Sequence, residues 1–183
     1  FCRTKRTAQK TSDDLAERGF RAATIHGDLG QSAREKALND FKAGKSDVLI
    51  ATDVAARGID IDGITHVINY QCPEDEKTYV HRIGRTARAG AHGIAVTFVD
   101  WDELARWKMI DTALVLGLPE PLETYSSSEH LYEMLNIPAG STGRIVKAKP
   151  AAAVAKVAKP AAAKQESAPR VKRERTRTKR ISS

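Results

Sequence analysis

The chain has 183 residues, of which 41% are hydrophobic and 29% are charged, and its formal net charge is +7. This length allows one ordinary domain with a sizeable core, plus an extension. No apolar stretch approaches the roughly 20 residues that cross a bilayer, and no segment has the pattern of a secretory signal. We therefore expect a cytoplasmic protein rather than a membrane-embedded one.

The positive charge is concentrated in a tail. Residues 144–183 contain 13 Lys and Arg against 2 Asp and Glu, which leaves 17 against 21 in residues 1–143. The tail is rich in Ala, Lys, Pro and Arg, so it cannot bury enough apolar surface to offset the entropy of ordering. We expect one domain over residues 1–143 and a disordered basic tail over residues 144–183. Such an arm commonly binds nucleic acid phosphates, although an acidic protein, a membrane surface or solubility alone remain alternatives.

The chain begins with the pattern of a strand end. Phe1 and Cys2 look like the last residues of a buried strand that leads into a helix, so we expect a domain cut at or inside its first strand. Cys2 and Cys72 are far apart and neither has a second cysteine or a histidine at ligand spacing. We expect two free thiols, no disulfide and no metal site.

Helical patterns and apolar runs alternate along the rest of the chain. Predicted helices cover residues 7–18, 32–43, 75–86 and 101–116, and predicted strands cover residues 22–25, 48–51, 66–70 and 94–99. Residues 32–35 read as a capping box at the start of the second helix, and Gly44 follows its end. The strands are short, β-branched and almost continuously apolar, which is typical of strands covered on both faces. The pattern predicts a parallel α/β sheet.

A cluster of cations occupies residues 81–90, which read HRIGRTARAG. Arg82, Arg85 and Arg88 recur every three residues beside His81. Cations at the end of a helix complement its dipole, but that explains only one or two of them. Because guanidinium groups match phosphate oxygens with a planar fork of donors, we expect this cluster to grip a phosphate.

Polar residues follow each predicted strand, at the edge of a parallel sheet where ligands bind. They are Thr4, His26, Gly27, Gln31, Arg34, Thr52, Asp53, Arg57, Gly58 and Asp60. Amides at the start of a helix together with Arg34 suit a phosphate, whereas Arg34 alone could equally pair with an acid. For His26 a hydrogen-bonded structural role is the stronger interpretation. Asp60 is the best placed carboxylate for sugar hydroxyls, while Asp53 and Asp62 are expected to organise turns.

The chain has no phosphate-cradling loop of its own. Gly44, Lys45 and Ser46 imitate the end of a Walker A loop, but its first glycine would fall at Asn39, inside a helix. A triphosphate would therefore be held elsewhere, and the arginines would complete its site from across a cleft.

Three segments now fit a known family: IHGDLGQSAREKALNDFKAG, VLIATDVAARGIDI and YVHRIGRTARAG. In this order and spacing they resemble the second RecA-like domain of DEAD-box RNA helicases, over about residues 1–99. The resemblance implies a RecA-like sheet between two helix layers, a three-layer α/β/α fold.

The resemblance also implies roles for single residues. Arg85 and Arg88 correspond to arginine fingers that reach the γ-phosphate of ATP, with His81 helping to order the attacking water. Asp60, with Gly58 beside it, corresponds to the ribose contact. The implied RNA contacts are Thr4, Gly27, Gln31, Arg34, Thr52 and Arg57.

One residue departs from the family pattern, since Ala87 stands where the last motif usually has a second glycine. Alanine disfavours positive φ, so we expect a helical conformation there or a slight shift of Arg88.

Two main functions remain open at this point, beside a third, another superfamily 2 helicase acting on DNA, which the wording of the motifs disfavours but physical chemistry does not exclude. The first is the C-terminal half of an ATP-dependent RNA helicase, in which an N-terminal RecA-like domain holds ATP and Mg²⁺. On this hypothesis the chain alone is inactive, because it lacks the Walker A and DEAD motifs. The second is a nucleic-acid-binding or chaperone module without turnover.

Overall fold

The computed structural model describes residues 1–59, 61, 63–88, 90 and 92–145. In this part of the chain, short parallel strands alternate with helices, which confirms the predicted α/β class. The strands are β1 (Ala22–Ile25), β2 (Val48–Ala51), β3 (His66–Asn69) and β4 (Ile94–Thr97). The helices are α1 (Lys5–Glu17), α2 (Gln31–Lys42), α3 (Asp53–Ala56), α4 (Glu76–Ile83), α5 (Leu104–Leu114) and α6 (Glu129–Met134), with a 3-10 turn at Trp101–Glu103.

The first two residues join two pairs of strands into one layer. β1 pairs with β2, and β3 pairs with β4, both in parallel. The Cys2 amide donates to the Ala51 carbonyl at 3.0 Å, and the Tyr70 amide donates to the Phe1 carbonyl at 3.0 Å. Phe1 and Cys2 therefore lie between β2 and β3, as their strand-like pattern predicted. The carboxyl ends of the strands meet at one edge.

Two apolar clusters support this layer. The first lies under α1, where Cys2, Ala8 and Ile50 are buried. The second joins the Cys72 loop to α5, where Cys72, Trp107 and Ile110 are buried. Desolvation in this cluster, together with the nearby Glu103 carboxylate, raises the pKa of the Cys72 thiol to about 11. Both thiols are free, as predicted.

Several helix boundaries differ from the predicted ones. The helix predicted over residues 75–86 ends at Ile83, because Gly84 is its C-cap. The helix predicted over residues 101–116 begins as the 3-10 turn and ends where Val115 takes φ 53°. The four-residue helix α3 was not predicted, since one turn is too short to show periodicity.

The start of α2 corrects the predicted capping box. The helix begins at Gln31 with Gly30 as its N-cap, and no side chain caps it. Ser32 already lies inside the first turn, where its hydroxyl is out of position for the cap. The opposite end agrees with the prediction, because Gly44 follows the helix with φ 68°.

One face of β3 contradicts the expectation of strands covered on both faces. Val67 and Asn69 are buried, but Ile68 and Tyr70, which alternate with them, are 46% and 49% exposed. The residues that the structure describes leave this face open to solvent.

The last described residue contacts the end of α1. The Ile145 amide donates to the Arg18 carbonyl at 2.8 Å, at the end of α1. The remainder of the predicted tail, residues 146–183, lies outside the described residues. No helix in the described ranges is long and apolar enough to cross a membrane.

Candidate functional site

Arg82 anchors α4 to the sheet. Its side chain is 1% exposed, and its Nε and Nη2 donate to the two carboxylate oxygens of Asp53 at 2.7 and 2.8 Å. Nη1 donates to the Gln71 carbonyl at 2.9 Å and to Asn69 Oδ1 at 3.3 Å. The Phe1 ring covers the guanidinium, with its centroid 5.5 Å from Cζ. Because four of its five N–H donors are bound inside the protein, Arg82 has a structural role.

This network corrects two sequence interpretations. Arg82 was grouped with the arginines that grip a phosphate, and Asp53 was expected only to organise a turn. Helical spacing could have predicted that Arg82 is buried. Tyr79 lies three residues before it, on the same face of the helix, and packs in the core beside Trp107. Arg82 therefore belongs to the inward face of α4, a face that a charge count along the sequence does not distinguish.

His81 and Arg85 face a cleft beside this network. The cleft has a volume of about 340 Å³, and Arg57 and Gly58 form another part of its lining. Arg85 is half-buried, and its Nη1 donates to the Ile59 carbonyl at 2.8 Å. No carboxylate among the described residues pairs with Arg85. Its remaining N–H donors are therefore available to an anion in the cleft.

Arg88 has a different setting from Arg85. It does not line the cleft, and its Nε donates back to the Gly84 carbonyl at 3.0 Å. The turn between the two arginines is fixed by the Thr86 hydroxyl, which donates to the Ile64 carbonyl. The phosphate role of Arg88 stays a prediction.

Ala87 contradicts one of the two effects expected from the missing glycine, the helical conformation. It takes φ 55°, so it keeps the left-handed conformation instead of becoming helical. An L-residue in this region costs about 1–2 kcal/mol. Gly93 packs tightly against the same turn: a Cβ there would lie 2.7 Å from the Ala87 nitrogen and closer still to the Thr86 hydroxyl. The surrounding contacts thus impose the turn on Ala87.

The predicted RNA contacts follow neighbouring strands at the same edge. Thr4 is the N-cap of α1 and accepts a hydrogen bond from the Thr7 amide at 3.1 Å. Arg34 is half-buried, and its Nη2 donates to the Ala55 carbonyl at 3.2 Å, which ties α2 to α3. Thr52 is 7% exposed at the N-cap position of α3. These three side chains are therefore held at successive strand ends.

The loop between β1 and α2 contains further predicted contacts. Gly27 is exposed, and a Cβ there would meet no atom within 4 Å. The Gln31 side chain bonds Glu35 Oε1 at 2.7 Å along α2. His26 is buried, accepts from the Asp28 amide and bonds Gln9, which agrees with the structural interpretation of this histidine.

The predicted ribose contact cannot be placed. Asp60 and Asp62 lie outside the described residues. Gly58, which precedes them, is exposed with φ 75°, a conformation that favours glycine.

Comparison with known proteins identifies the domain. The family described as the helicase conserved C-terminal domain matches residues 1–90. The ATP-dependent RNA helicase CshA of Listeria monocytogenes is 54% identical over 111 residues, which are 61% of this chain and 21% of that protein. The ATP-dependent rRNA helicase rrp3 of Aspergillus terreus is 53% identical over 114 residues, 62% of this chain and 26% of that protein. The chain thus spans about a fifth to a quarter of these curated relatives.

Solved structures agree with the sequence relatives. The C-terminal domain of the DEAD-box protein Dbp5 superposes with a TM-score of 0.58 and 40% identity, covering 62% of this chain and 67% of that one. The E. coli DEAD-box protein SrmB, solved with the regulator RraA, gives a TM-score of 0.59 and 33% identity, covering 69% and 78%. The chain belongs to the DEAD-box RNA helicases, as a RecA-like helicase C-terminal domain.

Proposed function

We propose that this domain works in a full-length ATP-dependent RNA helicase, where it completes the ATP site and holds the RNA backbone. The relatives named ATP-dependent RNA helicases support the activity, and a structure of S. cerevisiae Dbp5 with RNA and ADP BeF3 supports both ligands. An N-terminal RecA-like domain of the same protein would be the partner across the cleft. The cytoplasmic location is part of the same proposal.

The nucleotide would be shared between the two domains. ATP supplies the γ-phosphate whose transfer to water drives the cycle. Arg85 stabilises the negative charge that develops on that phosphate, because its guanidinium lies half-buried at the cleft with donors to spare. His81, which lines the same cleft, would orient the attacking water. Arg88 would act as a second finger, and Asp60 with Gly58 would bind the ribose.

The residues of the cleft fit a phosphate better than a magnesium ion. Asp53 is the carboxylate that lines the cleft within the described residues, and both of its oxygens accept hydrogen bonds from Arg82. We therefore assign Mg²⁺ to the N-terminal domain.

RNA would bind along the edge formed by the strand ends. The contacts would come from Thr4, Gly27, Gln31, Arg34, Thr52 and Arg57. These groups suit phosphates and sugars, so binding is independent of base sequence. If the two domains together hold one strand in a bent form, the opposite strand of a duplex is released locally, and ATP hydrolysis then resets the domains.

The observation that carries this proposal is that cations at the end of α4 and in the turn after it have different settings. The Arg82–Asp53 pair fixes the helix on the sheet, and this leaves Arg85 and His81 facing a cleft that they share with Arg57, a proposed RNA contact. Nucleotide and RNA groups thus meet at one rigid site, which is what coupling between the two ligands requires.

The test is RNA-stimulated phosphate release by the full-length protein. Arg34→Gln should raise the RNA concentration needed for half-maximal stimulation by about tenfold, since one charged phosphate contact is lost. Lys42→Gln is the matched control, because this exposed lysine lies at the opposite end of α2. Hydrolysis that does not respond to RNA, or an Arg34→Gln variant that behaves like the control, would contradict the proposal.

A further inference from the structure

A second groove lies on the outer side of α1. It has a volume of about 450 Å³ and is lined by α1 and by the loop after β1. Its lining includes three cations of α1, namely Lys5, Arg6 and Lys10. A hydrogen bond of 3.2 Å between His26 Nε2 and Gln9 Oε1 ties the two walls together.

The three cations differ in whether their side chains have a partner. Lys5 pairs with Asp28 at 2.8 Å. Arg6 and Lys10 are exposed, and the described residues contain no hydrogen-bond or ion-pair partner for either side chain. They are four residues apart on a helix, so their like charges share a face and repel each other.

The charges of α1 oppose its own stability. Its first turn begins with Lys5 and Arg6 and contains no acidic residue, and its last turn contains no basic residue. Favourable pairing with the helix dipole requires the reverse arrangement, and each reversed charge costs about 0.3–1 kcal/mol. Folding of the helix therefore does not account for these cations, whereas binding of an anion in the groove does.

The groove continues the proposed RNA edge. Thr4, the proposed contact at the cap of α1, directly precedes Lys5, and Gly27 directly precedes Asp28, the partner of Lys5. We propose that the groove is an additional RNA subsite, in which Arg6 and Lys10 bind backbone phosphates of the strand that runs past Thr4 and Gly27. This rests on the proposed function, and it extends the RNA path beyond the contacts assigned to the strand ends.

RNA is favoured over a small anion by the shape of the site. The groove is open, its lining on α1 runs over more than two turns from Lys5 to Asp13, and Asp28 lines it as a second carboxylate beside the cations. A compact anion would face both signs of charge at short range. A flexible strand held at Thr4 and Gly27 would instead offer successive backbone phosphates along the groove, so that Arg6 and Lys10 can each bind one.

The test is binding of a fluorescent single-stranded oligouridylate by the 183-residue chain at several salt concentrations. The double variant Arg6→Gln/Lys10→Gln should bind about tenfold more weakly, and the slope of log K against log salt should fall by about 1.4, or 0.7 for each phosphate contact. The control Lys42→Gln/Lys108→Gln removes the same charge from exposed lysines of α2 and α5. It should leave both quantities close to those of the parent chain.

Thermal unfolding of the same variants distinguishes a loss of binding from a loss of stability. Because Arg6 opposes the helix dipole and repels Lys10, the double variant should have a Tm equal to or above that of the parent. Equal affinity and salt slope for the double variant and its control would overturn the subsite, while a response to Arg34→Gln would leave the proposed function intact. A parent chain that does not bind the oligonucleotide would also overturn the subsite, whereas the proposed function keeps its own test in RNA-stimulated phosphate release by the full-length protein.

Discussion

Arg82 and Arg85 are three residues apart, yet they occupy two regions with opposite properties. Arg82 belongs to a buried network in which Asp53, Asn69 and a backbone carbonyl take up its donors. Arg85 lies in the turn after α4, half-buried at a cleft, with one backbone acceptor. The comparison shows that two arginines of one motif can have different roles. Arg82 anchors the helix, because it is buried among partners, whereas Arg85 offers its charge to the cleft, because most of its donors have no partner in the described part of the chain.

The hydrogen-bond network of Arg82 should contribute more to the free energy of unfolding than the single hydrogen bond of Arg85. Arg82→Ala removes one partner of a buried ion pair and leaves Asp53 and Asn69 without their donor, so the free energy of unfolding should fall by about 3 kcal/mol. Arg85→Ala loses a single hydrogen bond to a backbone carbonyl, and about 1 kcal/mol is expected. Urea unfolding of both variants measures the difference. Equal losses would erase the distinction between the two regions.

Gly93 tests how tightly the turn after α4 is packed. In Gly93→Ala the new Cβ would overlap the Thr86 side chain and the Ala87 nitrogen, so the turn must shift, at a cost of about 1–3 kcal/mol. Gly27→Ala is the matched control for stability, because its φ is not in the left-handed range and no atom lies within 4 Å of its Cβ position. Urea midpoints would show the difference. A Gly93→Ala protein as stable as the control would mean that the turn adapts freely.

Ala87 reports the strain stored in the same turn. Ala87→Gly relieves the left-handed backbone of an L-residue and should raise the free energy of unfolding by about 1 kcal/mol. Ala16→Gly, in helical conformation in α1, should instead lower it by about 0.5–1 kcal/mol. Thermal unfolding of the two variants would therefore move in opposite directions. A parallel decrease in Tm would show that Ala87 is unstrained.

The sequence predicted the features that depend on local pattern. The bounds of β1 and β2 agree with the structure residue for residue, since each is a short apolar run bounded by turn residues. The glycine after α2 was identified by the same kind of local signal. The RecA-like class followed from the order of the motifs, and the relatives confirm it.

The features that the sequence did not predict depend on partners distant in the chain. Asp53 and Arg82 are 29 residues apart, and no local pattern pairs them. The left-handed Ala87 depends on Gly93 packing against its turn, while its own side chain argues for a helix. The exposed face of β3 depends on whether another element covers that side of the sheet. An apolar run in the sequence does not contain this information.

The most direct test of the account is the turnover number of Arg85→Ala in the full-length protein, at saturating ATP and RNA. Lys77→Ala, which removes an exposed cation at the start of α4, serves as the control. If Arg85 stabilises charge on the transferred phosphate, turnover should fall by about 1000-fold or more, with the control unchanged. Turnover within twofold of the parent protein would contradict the account.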